Sequence, residues 1–476
     1  MSELTFRTEK DLLGSLDVPS DAYYGIQTLR AINNFQLTGV PLSHFAHLVN
    51  GLAMVKWAAA AANHKLGYLS DQKYHAIEKA CQRIIQGEFH DQFQVDMIQG
   101  GAGTSTNMNA NEVIANIALE EMGYKKGEYK HLHPNNDVNM AQSTNDAYPT
   151  AIRVGLLLGY DALLVSVSQL RDAFAKKGEE FAHVIKMGRT QLQDAVPMTL
   201  GQEFRAFATT ITEDLERMRA LFPDVLCEVN LGGTAIGTGI NADPHYQAIA
   251  VEHLTQISGH KLIPATDLIE ATSDMGAFVL LSGMLKRTAV KLSKICNDLR
   301  LLSSGPRAGI NEINLPARQP GSSIMPGKVN PVIPEAVNQV AFTVIGNDLA
   351  LTLAAEGGQL QLNVMEPLIA YKTMSSITLL MRAMDMLREL CIDGITANVE
   401  HCKNLVEHSI GLVTALNPYI GYENATRIAR IALETGKGVL ELVREEKLLS
   451  ESELEKILKP ENMIAPHLEL SDLSKH

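Results

Sequence analysis

Aromatic residues are scarce in this chain: Phe, Trp and Tyr make up 5% of its 476 residues, with a single tryptophan. Sheet-rich proteins use many aromatic and β-branched residues, whereas Ala, Leu, Ile and Met abound here, which favours helices. Apolar residues reach 46%, so the chain can bury a large core and is not expected to be disordered. Its length suits about three domains.

Cysteines are few, odd in number and widely separated, without the spacing of a metal site, which indicates free thiols in a reducing compartment. The first residues, MSELTFRTEK, carry charges where a signal peptide needs an apolar core. Long uncharged apolar runs are also missing, since stretches such as AFVLLSGMLKRTAV are interrupted well before a membrane span is complete. We therefore expect a cytoplasmic protein. The cysteines are Cys81, Cys227, Cys296, Cys391 and Cys402.

Positive charge is in deficit, because 41 Lys and Arg stand against 54 Asp and Glu, a formal net charge of -13. Such a chain is unsuited to nucleic acid or to an anionic membrane surface, so we expect neither as a partner. An anionic substrate would have to be held by local groups rather than by the field of the whole molecule.

From residue 151 onward the sequence shows the heptad spacing of long bundle helices. We expect Ser273 to cap the second such helix, Gly305-Pro306 to end it, and a third long helical region to span about residues 334–392. The exposed faces of such helices are most simply covered by other copies of the chain, which predicts a homo-oligomer. The two apolar series are Leu156, Tyr160, Leu163, Val167, Leu170 and Phe174, and Leu281, Leu285, Thr288, Leu292, Ile295, Leu299 and Leu302.

These patterns predict an all-α protein with three domains. The N-terminal domain, residues 1–142, is mixed and mainly helical; residues 143–395 form a central long-helix bundle; residues 396–476 form a small helical C-terminal domain. In the last of these, Ser450 and Glu453 predict a capping box, and Pro460 predicts a helix end.

Four segments break the helical pattern with a surplus of hydroxyl and amide groups: QGGAGTSTNMN (99–109), QSTNDAYPT (142–150), MGRTQLQDAVP (187–197) and QPGSSIMPGKVNPV (319–332). Each alone suits caps and turns, but their joint occurrence between long helices favours a ligand site. Mostly neutral donors with one cation suit carboxylates. The candidate residues are Thr104, Ser143, Thr144, Asn145, Thr190, Ser322, Ser323, Lys328 and Asn330.

Two further segments carry weaker signals. GGTAIGTGIN (232–241) is Gly-rich, but it lacks the Lys-Ser/Thr of a P-loop and the strand–helix context of a dinucleotide site. His131, His133 and Asp137 come nearest to a metal-ligand set, but their pattern matches such a set poorly. We therefore predict neither a nucleotide site nor a metal site.

The segment GSSIMPGKVNP resembles the signature of the fumarase/aspartase superfamily. The resemblance covers essentially the whole chain. Within the superfamily, QGGAGTSTNMNANE, QSTNDAYPT, MGRTQLQDAVPMTLGQEF and NDLRLLSSGPRAGINEINLP resemble blocks of the aspartate ammonia-lyase family. This resemblance implies an all-helical fold of three domains and a homotetramer whose central helices form a multi-helix bundle. It also implies active sites that each draw on three subunits.

The resemblance also implies a reaction: reversible anti elimination of ammonium from L-aspartate, giving the dicarboxylate fumarate through an aci-carboxylate intermediate. No cofactor is required, and a divalent cation such as magnesium would act only as an activator. Ser322 is implied to be the base. Gly321 and Gly327 allow its loop to move, and Pro320, Pro326 and Pro331 restrict that movement, so we expect the loop to close over the substrate. The other implied contacts are a cradle of Thr104, Ser143, Thr144 and Ser323, an α-carboxylate clamp of Thr190, Gln191, Lys328 and Asn330, and Asn145 facing the amino group.

Two alternatives stay open. Class II fumarate hydratases share most of these blocks, but they usually have His at the position of Gln191 and LNVFKP in place of LNVMEP (362–367); HPNN (133–136), in contrast, is similar to a hydratase loop. The other alternative is a structural role without catalysis, as in lens proteins recruited from a related lyase, which the intact polar segments disfavour.

Overall fold

The computed structural model describes residues 5–458 and 460–464, and most of them are helical. This confirms the predicted all-α class. Within that range the α-helices are α1 (Ile26–Asn34), α2 (Ala46–Lys65), α3 (Asp71–Ile85), α4 (Thr104–Glu121), α5 (Thr144–Glu180), α6 (Leu200–Leu226), α7 (Tyr246–Ser258), α8 (Leu268–Ser273), α9 (Gly276–Leu302), α10 (Val332–Glu356), α11 (Glu366–Leu390), α12 (Val399–His408), α13 (Leu412–Ile420), α14 (Tyr422–Thr435), α15 (Val439–Glu445), α16 (Glu451–Ile457) and α17 (Pro460–Met463).

Strands are short and occur only in pairs within the described residues. The pairs β1–β2, β3–β4 and β7–β8 are antiparallel, and β5–β6 is parallel. Pairs of this size cannot enclose a core, so the helices carry it. The strands are β1 (Phe6–Asp11), β2 (Gly14–Pro19), β3 (Ile185–Thr190), β4 (Gln193–Thr199), β5 (Glu228–Val229), β6 (Ile263–Pro264), β7 (Ile313–Asn314) and β8 (Thr396–Ala397).

The heptad positions are buried, as the sequence predicts. Every member of the first series lies on α5, which has 37 residues, and every member of the second lies on α9. No member of either series is more than 5% exposed. The periodicity of the sequence therefore identified the core-facing stripes of both helices.

The third long region is two helices rather than one, because α10 and α11 are separated by residues 357–365. Asn363 produces the break: its side-chain amide donates to the carbonyl oxygens of Ala354 and Ala355 at the end of α10, both at 3.0 Å. Its Oδ1 atom accepts from the backbone N–H of Met365 just before α11. One buried side chain thus ends one helix and starts the next.

Helix-end predictions were partly wrong. Ser273 is the last residue of α8 rather than the cap of α9, and the carboxylate of Asp274 accepts from the Gly276 N–H instead. The predicted end before Pro460 is confirmed, because α16 ends at Ile457, and Pro460 is the first residue of the separate short helix α17, where proline needs no N–H donor. The capping box of Ser450 and Glu453 is confirmed.

The chain divides into two compact units. The first contains residues 1–165, 215–289 and 340–381; the second contains residues 166–214, 290–339 and 382–476. The predicted boundaries after residues 142 and 395 stay a prediction, and the C-terminal domain extends into residues outside the described range.

Helix α2 is the centre of the first unit, since it packs against α3, α4 and α7 and is buried on nearly all sides. In the second unit, α12 to α16 pack their apolar faces together, and Met187 of β3 lies in the same cluster. The hairpin β3–β4 is therefore held by the C-terminal helices.

By length and composition alone, α5 could cross a membrane, but 72% of its most apolar stretch is buried inside the protein. That burial is what a core helix shows. The five cysteines are free thiols, as expected, and all but Cys227 are buried. Burial raises the pKa of Cys391 and Cys402 to about 12.

Candidate functional site

The predicted site residues at the start of α4 follow an unusual turn. Gly101, Ala102 and Gly103 all have left-handed φ angles of 91°, 55° and 87°. A Cβ atom on Gly103 would lie 2.2 Å from the ring of Tyr148, so this position excludes any other residue. The turn brings the Thr104 hydroxyl within 2.8 Å of the Gly101 carbonyl oxygen, to which it donates.

The start of α5 is held by a reciprocal pair of hydrogen bonds. The Ser143 hydroxyl accepts from the Asn145 N–H at 3.2 Å, and the Asp146 carboxylate accepts from the Ser143 N–H at 2.8 Å. These two bonds resemble a capping box in which Asp takes the place of the usual Glu or Gln. Since the Ser143 oxygen already accepts a bond, and no described residue accepts its hydrogen, that hydrogen is available to a ligand.

The Gly-rich segment 232–241 is attached to this helix start. Asp146 accepts from the backbone N–H groups of Gly232 and Thr234, both at 3.0 Å. The Asn145 side-chain nitrogen donates to the Ala235 carbonyl oxygen at 2.7 Å, which fixes the amide orientation. No described residue donates to Asn145 Oδ1, so this oxygen can accept from a ligand.

Sequence reasoning missed Lys56, a side chain of α2 that is 0% exposed. Its ammonium donates to Asn107 Oδ1 at 2.6 Å, Asn139 Oδ1 at 2.9 Å and Gln142 Oε1 at 2.8 Å. Asn107 in turn donates to Thr144 Oγ1 at 3.1 Å. Lys56 thus connects the start of α4 with the start of α5. Its sequence signal was a single charge inside the apolar run LAMVKWAAAAAN.

Burial lowers the pKa of Lys56 to about 7, against the usual 10.5. Between these values the unfolded chain binds one more proton than the native protein, so the free energy of unfolding rises with pH, by up to about 1.4 kcal/mol per unit. Below pH 7 both states are protonated and the full penalty of burial persists. Lys56→Met has no titrating group at this position, so its free energy of unfolding lacks this dependence on pH.

The free energy of unfolding of the wild type is therefore expected to rise relative to that of Lys56→Met between about pH 7.5 and about pH 9.5, above the range in which Asp146 titrates. Urea unfolding at one fixed protein concentration measures it. A difference that stays constant over that range would mean that Lys56 keeps its ordinary pKa.

In the second unit, Thr190 and Gln191 lie at the tip of the β3–β4 hairpin. Gln191 and Leu192 form its two-residue turn with left-handed φ angles of 54° and 64°. Such turns usually have Asn-Gly, because side chains at positive φ cost of order 1 kcal/mol each. Strain of this kind concentrates at functional sites, and here the turn also presents an exposed Leu192.

Glu312, also missed from the sequence, holds strand β3 of that hairpin through Lys186 and Arg189. Its carboxylate is fully buried and lies 2.7 Å from Arg189 Nη1 and 2.9 Å from Lys186 Nζ. Lys186 is also paired with Glu203 at 2.5 Å. Two cations and two carboxylates therefore compensate each other directly beside Thr190.

The loop of residues 319–331 is closed by contacts between its two sides. The Gly321 N–H donates to the Lys328 carbonyl oxygen at 2.7 Å, and the Asn330 side chain donates to the Gly321 oxygen at 2.7 Å. A Cβ atom on Gly321 would lie 2.5 Å from the Lys328 oxygen. Glycine is needed here for close approach, and Gly327 supplies the left-handed turn, with φ 78°.

Two backbone hydrogen bonds stabilise the side-chain oxygen of Ser322. Its Oγ atom accepts from the backbone N–H of Ile324 at 3.2 Å and of Met325 at 3.0 Å. Two N–H donors favour the ionised form of an oxygen acid over the neutral form. Ser323 follows it on the exposed side of the loop.

Lys328 and Asn330 line a cleft of about 530 Å³. Arg300, at the end of α9, adds a second cation to its wall. The remaining wall comes from residues within 303–316, which belong to the block NDLRLLSSGPRAGINEINLP (297–316), and from Gly327, Val329 and Pro331. A cleft with two cations and many amide and hydroxyl groups suits a carboxylate ligand.

The residues considered for a metal have structural roles. The His133 side chain accepts from the backbone N–H groups of Asn135 and Asn136, and Asp137 pairs with Lys73 at 2.7 Å. His131 stacks on Tyr124. Over residues 5–458 and 460–464, no group of three His, Cys, Asp or Glu side chains could hold a metal ion.

The predicted site residues thus form two groups, each with its own supporting contacts. The residues of the first group lie in the first unit, at the starts of α4 and α5, where Asn107 and the Gly-rich segment contact them. Those of the second unit lie on the β3–β4 hairpin and on the loop 319–331. The first group is Thr104, Ser143, Thr144 and Asn145; the second is Thr190, Gln191, Ser322, Ser323, Lys328 and Asn330.

The chain is similar to known lyases along its length. A family model described as Lyase matches residues 14–346, and one described as Fumarase C C-terminus matches residues 412–465. An aspartate ammonia-lyase from Pseudomonas aeruginosa is 80% identical over 462 residues, which cover 97% of this chain and 98% of that protein.

Two solved structures extend the comparison. A fumarate lyase:delta crystallin from Brucella melitensis, bound to cobalt, is 59% identical with a TM-score of 0.94, covering 97% of this chain and 100% of that one. A class II fumarase from Schistosoma mansoni is 36% identical with a TM-score of 0.91, covering 98% of this chain and 100% of that one.

Proposed function

The chain belongs to the fumarase/aspartase superfamily of lyases, and within it we propose the activity of an aspartate ammonia-lyase. The protein deaminates L-aspartate reversibly to fumarate and ammonium. The observation that carries this proposal is the 80% identity, over almost the full length of both chains, with an aspartate ammonia-lyase. The similarity to a class II fumarase is far lower, at 36% identity.

The difficult step is removal of a weakly acidic C–H proton beside the β-carboxylate. Ser322 is the proposed base, and the two backbone N–H groups on its oxygen support it, because they stabilise an alkoxide. Ile324, Met325 and Val329 on the same loop are exposed, which supports closure of the loop over the substrate.

Negative charge then develops on the β-carboxylate oxygens of the aci-carboxylate. Ser143 and Thr144 are suited to receive it, because their oxygens already accept internal bonds and their hydrogens remain for the substrate. Thr104 has to rotate from the Gly101 carbonyl before it can donate. Ser323 completes the proposed cradle from the other loop.

Asn145 is the proposed partner of the amino group. Its nitrogen is engaged by Ala235, so its oxygen faces the ligand, and an ammonium needs an acceptor rather than a donor. A substrate that binds as ammonium carries its leaving-group proton already, so no general acid and no cofactor are required. A divalent cation such as magnesium would act as an activator only.

The α-carboxylate is proposed to bind Lys328 and Asn330 in their cleft, with Thr190 and Gln191 of the hairpin turn. Replacing Lys328 with Met removes a charge-assisted hydrogen bond of about 1.5–3 kcal/mol, so KM for L-aspartate is expected to rise about 10- to 100-fold. The bond exists before and during reaction, so kcat changes less.

Steady-state kinetics measure this effect of Lys328→Met. The matched control is Lys403→Met, an exposed lysine of α12, with KM expected within about twofold of the wild type. An unchanged KM in Lys328→Met would remove Lys328 from the clamp.

The protein is proposed to be a cytoplasmic homotetramer with sites shared by three subunits. Helix α10 supports this with exposed apolar side chains at helical spacing, which need cover in water. Light scattering after gel filtration tests the subunit number. The stripe consists of Phe342, Ile345, Leu349 and Leu353.

The decisive experiment is to incubate the purified protein separately with L-aspartate and L-malate and to follow fumarate by its ultraviolet absorbance. Fumarate from L-aspartate alone is expected. Fumarate from malate alone would make the protein a hydratase, and inactivity on both would favour a structural role.

A further inference from the structure

Lys56 has no role in the proposed chemistry, yet it is a fully buried cation. Its three bonded partners, Asn107, Asn139 and Gln142, are neutral amides rather than carboxylates. Burying a charge without a directly paired countercharge is unfavourable, whereas an apolar side chain in its place carries no such penalty. A charge in such a place calls for a functional reason.

Lys56 determines which way the Asn107 amide faces. An ammonium can only donate, so it takes Oδ1 and leaves Nδ2 to donate to Thr144 Oγ1. The hydroxyl oxygen of Thr144 is then an acceptor, and no described residue accepts its hydrogen. Thr144 is thereby kept as a hydrogen-bond donor for a ligand.

The charge environment leaves Lys56 without a direct ionic partner. Asp146 on α5 and Cys81 on α3 are the titratable groups that act on it. The Asp146 carboxylate is occupied by the N–H groups of Ser143, Gly232 and Thr234. Below about pH 7, where Lys56 keeps its proton, its positive charge therefore remains effective at the starts of α4 and α5, which are themselves positive ends of helix dipoles.

We infer that Lys56 is a positioning residue for the deamination, acting through Asn107 to keep Thr144 a strong donor to the developing aci-carboxylate. The inference rests on the proposed function. Hydrogen bonds in a chain polarise one another, so the series Lys56, Asn107, Thr144 strengthens as negative charge grows on the substrate. Interactions that strengthen in the transition state raise kcat more than they lower KM.

The test uses Lys56→Met in the full-length, assembled protein, assayed at about pH 6.5, where most of Lys56 is protonated. We expect kcat for L-aspartate to fall about 10- to 100-fold, with KM within about threefold of the wild type. The matched control is Asn63→Ala. Asn63 also lies on α2 and is also buried. It donates to the carbonyl oxygen of Met140, in the loop that contains the Lys56 partners Asn139 and Gln142. This control is expected to lower the thermal midpoint and to leave kcat within about threefold.

A double-mutant cycle separates action through Thr144 from an independent effect. Thr144→Ala alone lowers kcat, and adding Lys56→Met is expected to cause less than about a threefold further loss. If the two losses multiply, or if Lys56→Met alone keeps the wild-type kcat, the inference is wrong. A wild-type protein inactive on L-aspartate would instead refute the proposed function.

Asn107→Asp provides the same test if Lys56→Met does not assemble. It gives Lys56 a carboxylate partner and presents an acceptor to Thr144, whose hydrogen would then turn inward. We expect the same selective loss of kcat, at least about tenfold. Wild-type kcat in this variant would overturn the inference.

Discussion

Replacing Ser322 with Ala is expected to lower kcat for L-aspartate by at least about 10³-fold while the protein still folds and assembles. The hydroxyl is the proposed acceptor of the carbon-bound proton, and alanine offers no base in its place. The two backbone N–H groups that lose their acceptor lie on an exposed loop, so water replaces the missing oxygen. Stability should therefore change by less than about 0.5 kcal/mol.

Three measurements check this result: kcat by fumarate absorbance, subunit number by light scattering, and fumarate binding by calorimetry. Ser323→Ala is the matched control on the same exposed loop. It removes one proposed donor rather than the base, so a loss of about 10²-fold is expected. Near wild-type turnover in Ser322→Ala would rule out this serine as the base.

Replacing Glu312 with Gln is expected to lower the free energy of unfolding by about 3–5 kcal/mol. The side chain keeps its size but loses the charge that faces Lys186 and Arg189, both largely buried. Lys186 would keep the carboxylate of Glu203, whereas Arg189 would lose the carboxylate that it pairs with. Thr190 follows Arg189 directly, so KM for L-aspartate should rise as well.

Urea unfolding at one fixed protein concentration measures the effect of Glu312→Gln. Glu203→Gln is the matched control, since Glu203 pairs with the same lysine but is partly exposed. Water screens that pair, and the expected loss is about 1 kcal/mol or less. If both variants lost the same free energy of unfolding, burial would not explain how much Glu312 contributes to stability.

The helices could be predicted from the sequence because their apolar residues repeat at a fixed spacing. Tyr160 and Leu163 on α5, like Leu285 and Leu292 on α9, are buried as expected. Helix ends were less predictable, since they depend on single side chains. Asn363 and Asp274 decide where helices stop or start, and Asn and Asp are too common at turns to be read alone.

The polar segments also indicated the candidate site, because hydroxyl and amide groups are unusual in such density between long helices. The Gly-rich segment was interpreted only as a failed nucleotide loop. Its attachment to Asn145 and Asp146 depends on residues about ninety positions apart, and no local pattern encodes such a contact.

Lys56 and Glu312 could not be found from the sequence for a related reason. A lysine in an Ala-rich helix usually extends to solvent, and a glutamate in a loop is usually exposed. Their burial results from packing against distant elements: Asn107 and Gln142 for Lys56, and Arg189 for Glu312.

The burial of four cysteines has a practical consequence for handling. A maleimide should label native molecules at Cys227 first, because a thiol enclosed by core side chains is sheltered from the reagent and resists forming the reactive thiolate. The remaining thiols become reactive when the molecule opens, so the labelled fraction reports unfolding directly. Ordinary exposure to air during storage should accordingly leave the core chemically intact.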